Sequence, residues 1–336
     1  MRWAYDGGML TRLEVRGLTV TLPTESGWIR PVREVSLTLA EGESLGVVGE
    51  SGCGKTMLAL ALMRLVPPGA RMKGQAWLQV SNGAGAQGHT VNLIDAAPAI
   101  VRSVRGREIA MVFQEPMSAL NPVMRVGDQI KEAILAHDPR LERGKALDGT
   151  FKALERAAVP EPDVRARQYA HQLSGGLRQR VMIAMALAAR PNVLIADEPT
   201  TALDVTMQKQ ILELLGRLRR ELRLSLLFIT HDLGVVAQIA DRVAVMYAGR
   251  VVEEGPVDEV LRRPRHPYTV GLLHAAPRLV REKLLTIPGT VPDLHALPPG
   301  CSFAPRCPHR VAECDAAVPI FRKVSEGHQA RCILVP

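Results

Sequence analysis

The sequence predicts an α/β fold built on a mostly parallel β-sheet and followed by a small loop-rich segment. Three observations lead to this prediction. Apolar strands alternate with helices between residues 193 and 247, and strands separated by helices pair in parallel. Residues 10–48 alternate polar and apolar side chains, which is typical of half-buried strands. Beyond residue 255 proline becomes frequent and regular periodicity ends, as expected for loops.

Composition is that of a globular protein. The 336 residues are 47% hydrophobic and carry a formal net charge of +8. No apolar run reaches the roughly 18 residues that span a bilayer, and the N-terminus lacks the apolar core of a secretory signal, so we expect a cytoplasmic location. The charge permits contact with nucleic acid or an anionic membrane. Because only 4% of residues are aromatic and none interleave with basic residues, nucleic-acid binding is the weaker interpretation.

The predicted elements follow in chain order. Strands are expected over residues 13–15, 18–22, 35–39 and 44–48, and a helix from residue 55 to about 65, ended by Pro67, Pro68 and Gly69. Residues 74–112 indicate further strands, with a Gly-rich surface loop at 82–88. Residues 125–190 are helical, interrupted by Pro160 and Pro162. Strands at 193–196, 225–229 and 242–247 then alternate with helices at 207–222 and 235–240.

Residues 49–56 have the spacing G-x-x-x-x-G-K-[ST] between a predicted strand and a predicted helix, the context that a phosphate-binding loop requires. The loop itself consists of Gly49, Glu50, Ser51, Gly52, Cys53 and Gly54. Its backbone N–H groups and the helix dipole would cradle the β-phosphate of a nucleotide. Lys55 would reach the β- and γ-oxygens, and Thr56 would bind Mg²⁺. We interpret Cys53 as a small filler of the loop rather than a nucleophile.

A second anion-binding segment opens another helix at Leu173-Ser174-Gly175-Gly176. Gly175 and Gly176 let the backbone approach a ligand closely, Ser174 offers a hydroxyl, and the helix N-terminus attracts an anion. Two phosphate sites on one ATP-sized domain make sense if the second serves a nucleotide held by a different subunit.

Two adjacent carboxylates end the predicted strand at 193–196. Asp197 can hold Mg²⁺, directly or through water. Glu198, one residue on, can orient and deprotonate the water that attacks the nucleotide. With a phosphate loop upstream, this pair indicates nucleotide hydrolysis.

In this order and spacing, the motifs resemble the ATP-binding-cassette (ABC) family over roughly residues 10–255. The resemblance implies a P-loop NTPase fold over residues 1–255, with a parallel core, an antiparallel β subdomain and a helical subdomain at about 115–190. It implies that Gln114 senses Mg²⁺ and water, that Asp204 belongs to the D-loop with Ala202 and Leu203, and that His231 contacts the γ-phosphate. The family usually stacks adenine on an aromatic residue before the phosphate loop, and Leu22 and Trp28 are the two candidates here.

Four further cysteines fall in the last 36 residues. They are Cys301, Cys307, Cys314 and Cys332. In a reducing compartment this clustering favours metal over disulfides. Four thiolates can hold a [4Fe–4S] cluster or zinc, with His309 or His328 able to replace one of them, and the spacings are longer than the usual zinc knuckles, which favours a cluster. Four unligated buried thiols are the remaining alternative.

One branch of the family, the ATPases of dipeptide, oligopeptide and nickel importers, resembles this chain at three places: residues 114–122, His266-Pro267-Tyr268-Thr269, and the four cysteines. The resemblance implies a C-terminal extension at 256–336 whose cysteines ligate a [4Fe–4S] cluster. We expect the cluster to have a structural role, because it would pin a loop-rich segment that has too little apolar surface to fold alone. The resemblance also implies import of a small solute, with di- or oligopeptides favoured, and a first-subunit type of ATPase.

The resemblance further implies partners. ATP would lie between this chain and a paralogous ATPase subunit, in a heterodimer docked on two transmembrane permease subunits at the cytoplasmic face of the plasma (inner) membrane. An external substrate-binding protein would deliver the solute. A soluble ABC ATPase acting on ribosomes or nucleic acid is the alternative, disfavoured by the single cassette, the His-Pro-Tyr segment and the absence of a heptad run. A metal-sensing module that hydrolyses little would need a lost catalytic carboxylate, yet Glu198 is present.

Overall fold

The computed structural model describes residues 10–81, 88–201, 203–275 and 287–335. The Gly-rich loop predicted at 82–88 lies almost entirely outside these ranges, and Ala202 of the predicted D-loop also lies outside them. Among the described residues, no helix combines the length and the hydropathy needed to cross a membrane.

An antiparallel sheet forms from the first half of the chain, in the order β2-β1-β4-β5. Its strands are β1 (Thr11–Thr24), β2 (Gly27–Ala40), β4 (Arg71–Val80) and β5 (His89–Asn92). The two short strands predicted near residues 13 and 18 are one strand, because a bulge between Val15 and Leu18 keeps both apolar sets facing the same core.

The central sheet has eight strands within the described residues, in the order β11-β12-β10-β9-β3-β8-β7-β6. They are β3 (Ser44–Val48), β6 (Ile109–Val112), β7 (Val193–Asp197), β8 (Ser225–Thr230), β9 (Arg242–Tyr247), β10 (Arg250–Pro256), β11 (Arg322–Ser325) and β12 (His328–Ala330). β6, β7, β8, β3 and β9 pair in parallel, and the other three are antiparallel. Every residue of β3, β7 and β8 is buried, as expected where helices or a second sheet cover both faces.

The helices before residue 240 either pack on the central sheet or form a separate cluster of their own. They are α1 (Lys55–Leu62), α2 (Pro98–Val104), α3 (Pro116–Ala119), α4 (Val126–Leu135), α5 (Arg143–Arg156), α6 (Pro162–Arg165), α7 (Gly175–Leu187), α8 (Val205–Leu222) and α9 (Leu233–Ile239). α1 lies between the two sheets, where Leu58 and Leu62 are fully buried. The helices between β6 and β7 enclose a separate apolar cluster around Val126, Ile130 and Leu154. The predicted α/β fold, with a mostly parallel sheet and an inserted helical region, is confirmed, although α2 occupies a stretch predicted as strand.

The segment after residue 256 is more ordered than its proline content predicts. It contains α10 (Val257–Arg262), α11 (Pro267–Ala275), α12 (Glu313–Ala316) and the strands β11 and β12. β12 pairs with β10, whose strand the sequence analysis missed, so this segment extends the central sheet. Strands of three or four residues are too short to show periodicity, which is why the pattern predicted only loops.

Candidate active site

The candidate site lies at the carboxyl ends of the parallel strands, where ligands of open α/β sheets bind. The phosphate loop (residues 49–56) follows β3, and Gln114, Asp197 and His231 follow or end β6, β7 and β8. Because parallel strands present their carboxyl ends at one edge, residues distant in sequence meet there. The fold therefore explains why these motifs recur after successive strands.

Two glycines of the phosphate loop are required by close backbone contacts. A Cβ at Gly49 would overlap the carbonyl oxygen of Met246, and one at Gly54 would overlap that of Pro31. Gly54 also has φ 105° and caps the N-terminus of α1. The loop is thus held against the backbone of two other segments, with the N-terminus of α1 directed at its centre.

Lys55 lies inside the loop. Its side chain is 4% exposed, and its ammonium donates hydrogen bonds to the carbonyl oxygens of Gly49 at 2.7 Å and Glu50 at 3.1 Å. The same nitrogen is 4.0 Å from Oε1 of Glu198. Cys53 is buried beside it, and burial raises the pKa of that thiol, in agreement with a filler role.

Asp197 and Thr56 lie next to each other in the site. The Thr56 hydroxyl donates to Oδ1 of Asp197 at 3.3 Å. Burial raises the pKa of Asp197 to about 6, and the hydrogen bond from Thr56 opposes that rise. A hydroxyl and a carboxylate side by side next to a phosphate loop are the protein ligands that Mg²⁺ takes in such sites.

Glu198 is held from three sides. Its backbone has φ 46°, a strained value for a residue with a side chain, and its N–H donates to the carbonyl of Ile229 on β8 at 2.9 Å. Its Oε2 accepts from the Thr201 hydroxyl at 2.8 Å and lies 3.2 Å from Nδ1 of His231. Sequence reasoning missed Thr201, which no motif marks as a partner of the carboxylate.

Ser174 and Gly175 lie at the surface. The Ser174 hydroxyl accepts from the N–H of Leu177 at 3.4 Å and caps the N-terminus of α7. Gly176 is buried, and a Cβ there would overlap the end of the Met207 side chain on α8. Among the described residues, no side-chain hydrogen bond joins this segment to the phosphate loop of the same chain.

Gln114 is exposed two residues after the end of β6 and lines a cleft of about 300 Å³ together with Gly175 and Thr201. Asp204 accepts from the N–H of Met207 at 2.8 Å and caps α8. Asp204, predicted as a D-loop residue, therefore also stabilises the start of α8.

Neither candidate for adenine stacking is excluded by its position. Leu22 is half-buried and packs against the core between the sheets. Trp28 is 46% exposed near the turn that joins β1 to β2, and the Arg71 guanidinium lies 4.2 Å from its ring centre. Trp28 therefore offers an accessible aromatic face and Leu22 does not offer one.

The four cysteines of the C-terminal extension (residues 256–336, called the tail below) lie in one part of the structure. The N–H of Cys301 donates to the carbonyl of Cys314 at 2.8 Å. Burial raises the pKa of Cys301, hydrogen bonds from the N–H groups of Phe303 and Ala304 lower it, and Cys314 and Cys332 raise it further. Within the described ranges, however, no three His, Cys, Asp or Glu side chains lie close enough to hold one metal ion.

The two histidines proposed as substitute ligands have different surroundings. Nε2 of His328 lies 2.8 Å from Oε1 of Glu253, and both side chains are buried. His328 is therefore engaged in the pairing of β12 with β10. His309 lines an apolar cleft of ≈ 550 Å³ beside α11.

Comparison with family models matches two parts of the chain. Residues 32–201 match the family described as ABC transporter. Residues 252–314 match the oligopeptide/dipeptide transporter C-terminal region. The first match contains the phosphate loop, Ser174 and the Asp197–Glu198 pair, the second contains the first part of the C-terminal extension, and His231 lies between the two matches.

Curated relatives match nearly the whole chain. A putative peptide import ATP-binding protein of Brucella ovis is 50% identical over 96% of both chains. An oligopeptide transport ATP-binding protein of Salmonella typhimurium is 47% identical over 95% of this chain and 92% of its own length. A dipeptide transport ATP-binding protein of Bacillus subtilis is 45% identical over 96% of this chain and 94% of its own length.

Solved structures with the same fold include ATP-binding cassettes. A dimeric cassette in a post-hydrolysis state bound to ADP and phosphate has a TM-score of 0.62 at 25% identity, covering 73% of this chain and 98% of that one. A cassette from the ABC transporter complex of Clostridium perfringens has a TM-score of 0.60 at 26% identity, covering 75% of this chain and 91% of that one.

Proposed function

The chain belongs to the ABC transporter family, and from that premise we propose that it is the ATP-hydrolysing subunit of an importer of di- or oligopeptides. One observation carries the hydrolytic part: Lys55, Glu198 and His231 converge beside the Thr56–Asp197 pair. The match of residues 252–314 to the oligopeptide/dipeptide transporter C-terminal region supports the peptide part.

In the proposed mechanism, Lys55 moves its hydrogen bonds from the loop carbonyls to the β- and γ-phosphate oxygens of ATP. Thr56 and Asp197 would hold Mg²⁺, which neutralises charge on the phosphates. The hydroxyl–carboxylate pair fits that role because both groups offer oxygen ligands at the same place.

Glu198 acts as the general base in this proposal. Its carboxylate orients the attacking water and takes its proton, while Thr201 and His231 fix the position of Oε2. His231 is 53% exposed and remains accessible to the γ-phosphate. The strained backbone of Glu198 supports the assignment, since such strain clusters at functional sites.

The exposed Ser174–Gly175 segment supports a composite site. We assign it to an ATP held by the phosphate loop of a paralogous subunit, with the two chains arranged head to tail. Gln114, which lies in the same cleft as Gly175, would link ATP binding to the helical region that meets the permeases. Two permease subunits and an external binding protein complete the assembly, at the cytoplasmic face of the membrane.

We assign a [4Fe–4S] cluster with a structural role to Cys301, Cys307, Cys314 and Cys332. Burial raises the pKa of Cys301, Cys307 and Cys332, and backbone N–H groups directed at their sulfurs oppose that rise, as donors to bound thiolates would. The four thiolates would hold the cluster, which would pin a loop-rich segment that has too little apolar surface to fold alone.

Iron and acid-labile sulfide on protein purified without oxygen test the cluster, with about four of each per chain expected. Zinc, or no metal, would contradict it and would leave the ATPase assignment standing.

Uptake measurements test the transport assignment. Cells that lack this chain should fail to accumulate a radiolabelled di- or oligopeptide, and native chain, unlike Glu198→Gln, should restore uptake. Unchanged uptake across a panel of short peptides would contradict peptide import. The ATPase assignment is tested separately by ATP turnover of the same purified variants.

A further inference from the structure

Two residues of the C-terminal extension contact the phosphate loop. Tyr268, from the His-Pro-Tyr segment, and Arg306, between two tail cysteines, both bond to Glu50, the second residue of the loop. We propose that Tyr268 and Arg306 are positioning residues that fix the phosphate loop, and through it Lys55, for ATP binding. The inference holds for any transported solute.

Tyr268 reaches the loop backbone. Its side chain is fully buried, and its hydroxyl accepts the N–H of Glu50 at 2.9 Å. The ring packs against Tyr247 with 4.5 Å between centroids and against Phe303 with 5.4 Å. A ring fixed on two sides leaves the hydroxyl little freedom, so it holds the Glu50 amide at a defined place.

The preceding residues explain how the sequence aims this tyrosine. Pro267 is the first residue of α11, a position that suits proline. Nδ1 of His266 accepts the N–H of Tyr268 at 3.1 Å and so caps the helix. Burial lowers the pKa of His266 to about 3, so the ring is neutral and Nδ1 is free to accept.

Glu253 ties the start of α11 to the central sheet. Its carboxylate lies on β10 and accepts the N–H groups of Arg265 at 2.7 Å and His266 at 2.9 Å. A hydrogen-bonded chain therefore runs from the central sheet through His266 and Tyr268 to the phosphate loop.

Arg306 holds the Glu50 side chain. Its guanidinium donates to Oε2 of Glu50 at 2.7 Å and to Oε1 at 3.0 Å, a two-pronged pairing that fixes orientation as well as distance. Its Nε donates to the carbonyl of Pro288 at 2.9 Å, and the side chain is only 5% exposed. An arginine anchored in this way acts as a rigid support.

Glu50 also contacts Lys55. The Glu50 carbonyl accepts the Lys55 ammonium at 3.1 Å, while the N–H and the carboxylate of Glu50 are held by the tail. Gly49 and Gly54 are already held by the backbones of Met246 and Pro31. Besides the contacts at Gly49 and Gly54, the C-terminal extension therefore supplies a third support of the loop. This support is at Glu50, whose carbonyl accepts the hydrogen bond from Lys55.

The test uses the purified full-length chain and a fluorescent ATP analogue. Tyr268→Phe keeps the ring and removes the hydroxyl, and about a five-fold rise in the Kd for ATP is expected from one lost hydrogen bond. Arg306→Gln should raise the Kd for ATP about ten-fold. Arg306→Lys should raise it less, since lysine keeps the positive charge but cannot make both hydrogen bonds to the Glu50 carboxylate. kcat at saturating ATP should change little. Tyr268→Phe and Arg306→Gln should both lower the Tm of the nucleotide-free chain, because each leaves a buried partner unpaired, but the rise in Kd should not follow the fall in Tm.

Arg310→Gln is the matched control. It removes a tail ion pair, Arg310 with Asp315 at 2.8 Å, that lies away from Glu50. Its Kd for ATP should equal that of the native chain. In a double-mutant cycle, Arg306→Gln should have little further effect once Glu50→Gln is present.

Three results would overturn the proposal. The first is a Kd for ATP equal to that of the native chain in both Tyr268→Phe and Arg306→Gln. The second is a rise in Kd in the control Arg310→Gln as large as in Arg306→Gln. The third is a loss that follows the fall in Tm, with Arg306→Lys no better than Arg306→Gln, because that pattern belongs to a purely structural role.

Discussion

The phosphate-loop side of the site and the Ser174–Gly175 segment differ in how far the chain completes them. On the first side, Lys55 is 4% exposed and Glu198 about 10%, and their polar atoms already have partners. Ser174 and Gly175 lie exposed at the start of α7, where the serine hydroxyl only caps its own helix. In the proposed assembly, a single chain would therefore complete the phosphate-loop half of the ATP site by itself and would present the Ser174 half to its partner.

This difference teaches that burial distinguishes groups that act within the chain from groups offered to another molecule. Groups that bind and hydrolyse must be preorganised, which requires packing around them. A group that meets its ligand only on association must remain at the surface. The five predictions below test that contrast, from the largest expected effect to the smallest.

Glu198→Gln should reduce ATP turnover about 10²- to 10⁴-fold, because the amide cannot take the proton of the attacking water. ATP affinity should stay close to native, since the residue acts after binding. Turnover and fluorescent-ATP binding on the same preparation check this, with the exposed Glu213→Gln as the control. Native turnover in Glu198→Gln would remove the general-base assignment.

Ser174 tests whether the exposed segment acts only in the assembled pair of ATPase subunits. Ser174→Ala should lower turnover of the assembled ATPase pair about 10²-fold, the loss typical of one removed transition-state donor, and leave ATP affinity of the single chain unchanged. Ser174→Asn keeps a capping oxygen and should lower turnover equally, whereas alanine alone should cost about 1 kcal/mol of stability. If the single chain lost ATP affinity in either variant, the two half-sites would not be separate.

Asp197 should make Mg²⁺-dependent ATP binding at the phosphate-loop side of the site depend on pH. Its pKa is raised to about 6 in the free chain, mainly by burial. Since Mg²⁺ needs the ionised carboxylate, Mg²⁺-dependent ATP affinity should fall about ten-fold per pH unit below that value. Titrations with and without Mg²⁺ between about pH 5 and pH 8 measure it, and Asp197→Asn should lose the dependence.

The raised pKa of Asp197 also makes the free energy of unfolding depend on pH. A carboxyl whose pKa is higher in the folded chain stabilises it fully below the unfolded value of 3.8, and this stabilisation is lost as pH rises through about 6. Metal-free Asp197→Asn should therefore gain stability over the native chain near neutral pH. Urea unfolding at two pH values checks the sign, and an equal effect at both would contradict the raised pKa.

Trp28 carries the smallest prediction. If its exposed ring stacks on adenine, Trp28→Leu should weaken ATP binding about five-fold and leave binding of triphosphate unchanged. Leu22→Ala should lower stability, because Leu22 packs on the core, with less effect on affinity. The reverse pattern would assign adenine contact to Leu22.

The fold class and the nucleotide motifs could be predicted from sequence because each depends on local spacing. The phosphate loop needs glycines at fixed positions, and the paired carboxylates directly end a buried strand. The roles of the individual residues remain predictions for the experiments above.

Features that depend on long-range pairing were not predictable in this way. Arg306 contacts Glu50 across 256 residues of sequence, and nothing near either residue indicates the other. β12 has three residues, too few for a pattern, and gains its structure from β10. The His-Pro-Tyr segment was recognised, but its contact with the loop required the fold.

The buried Glu253 carboxylate has a consequence for biosynthesis. It is fully enclosed, and one of its partners, His328, is synthesised 75 residues later. Until the ribosome has delivered β12, the edge of β10 is unpaired and Glu253 lacks its imidazole partner. A chain that stops before residue 328 therefore carries an open sheet edge next to an otherwise finished nucleotide site, the kind of surface that chaperones and proteases recognise.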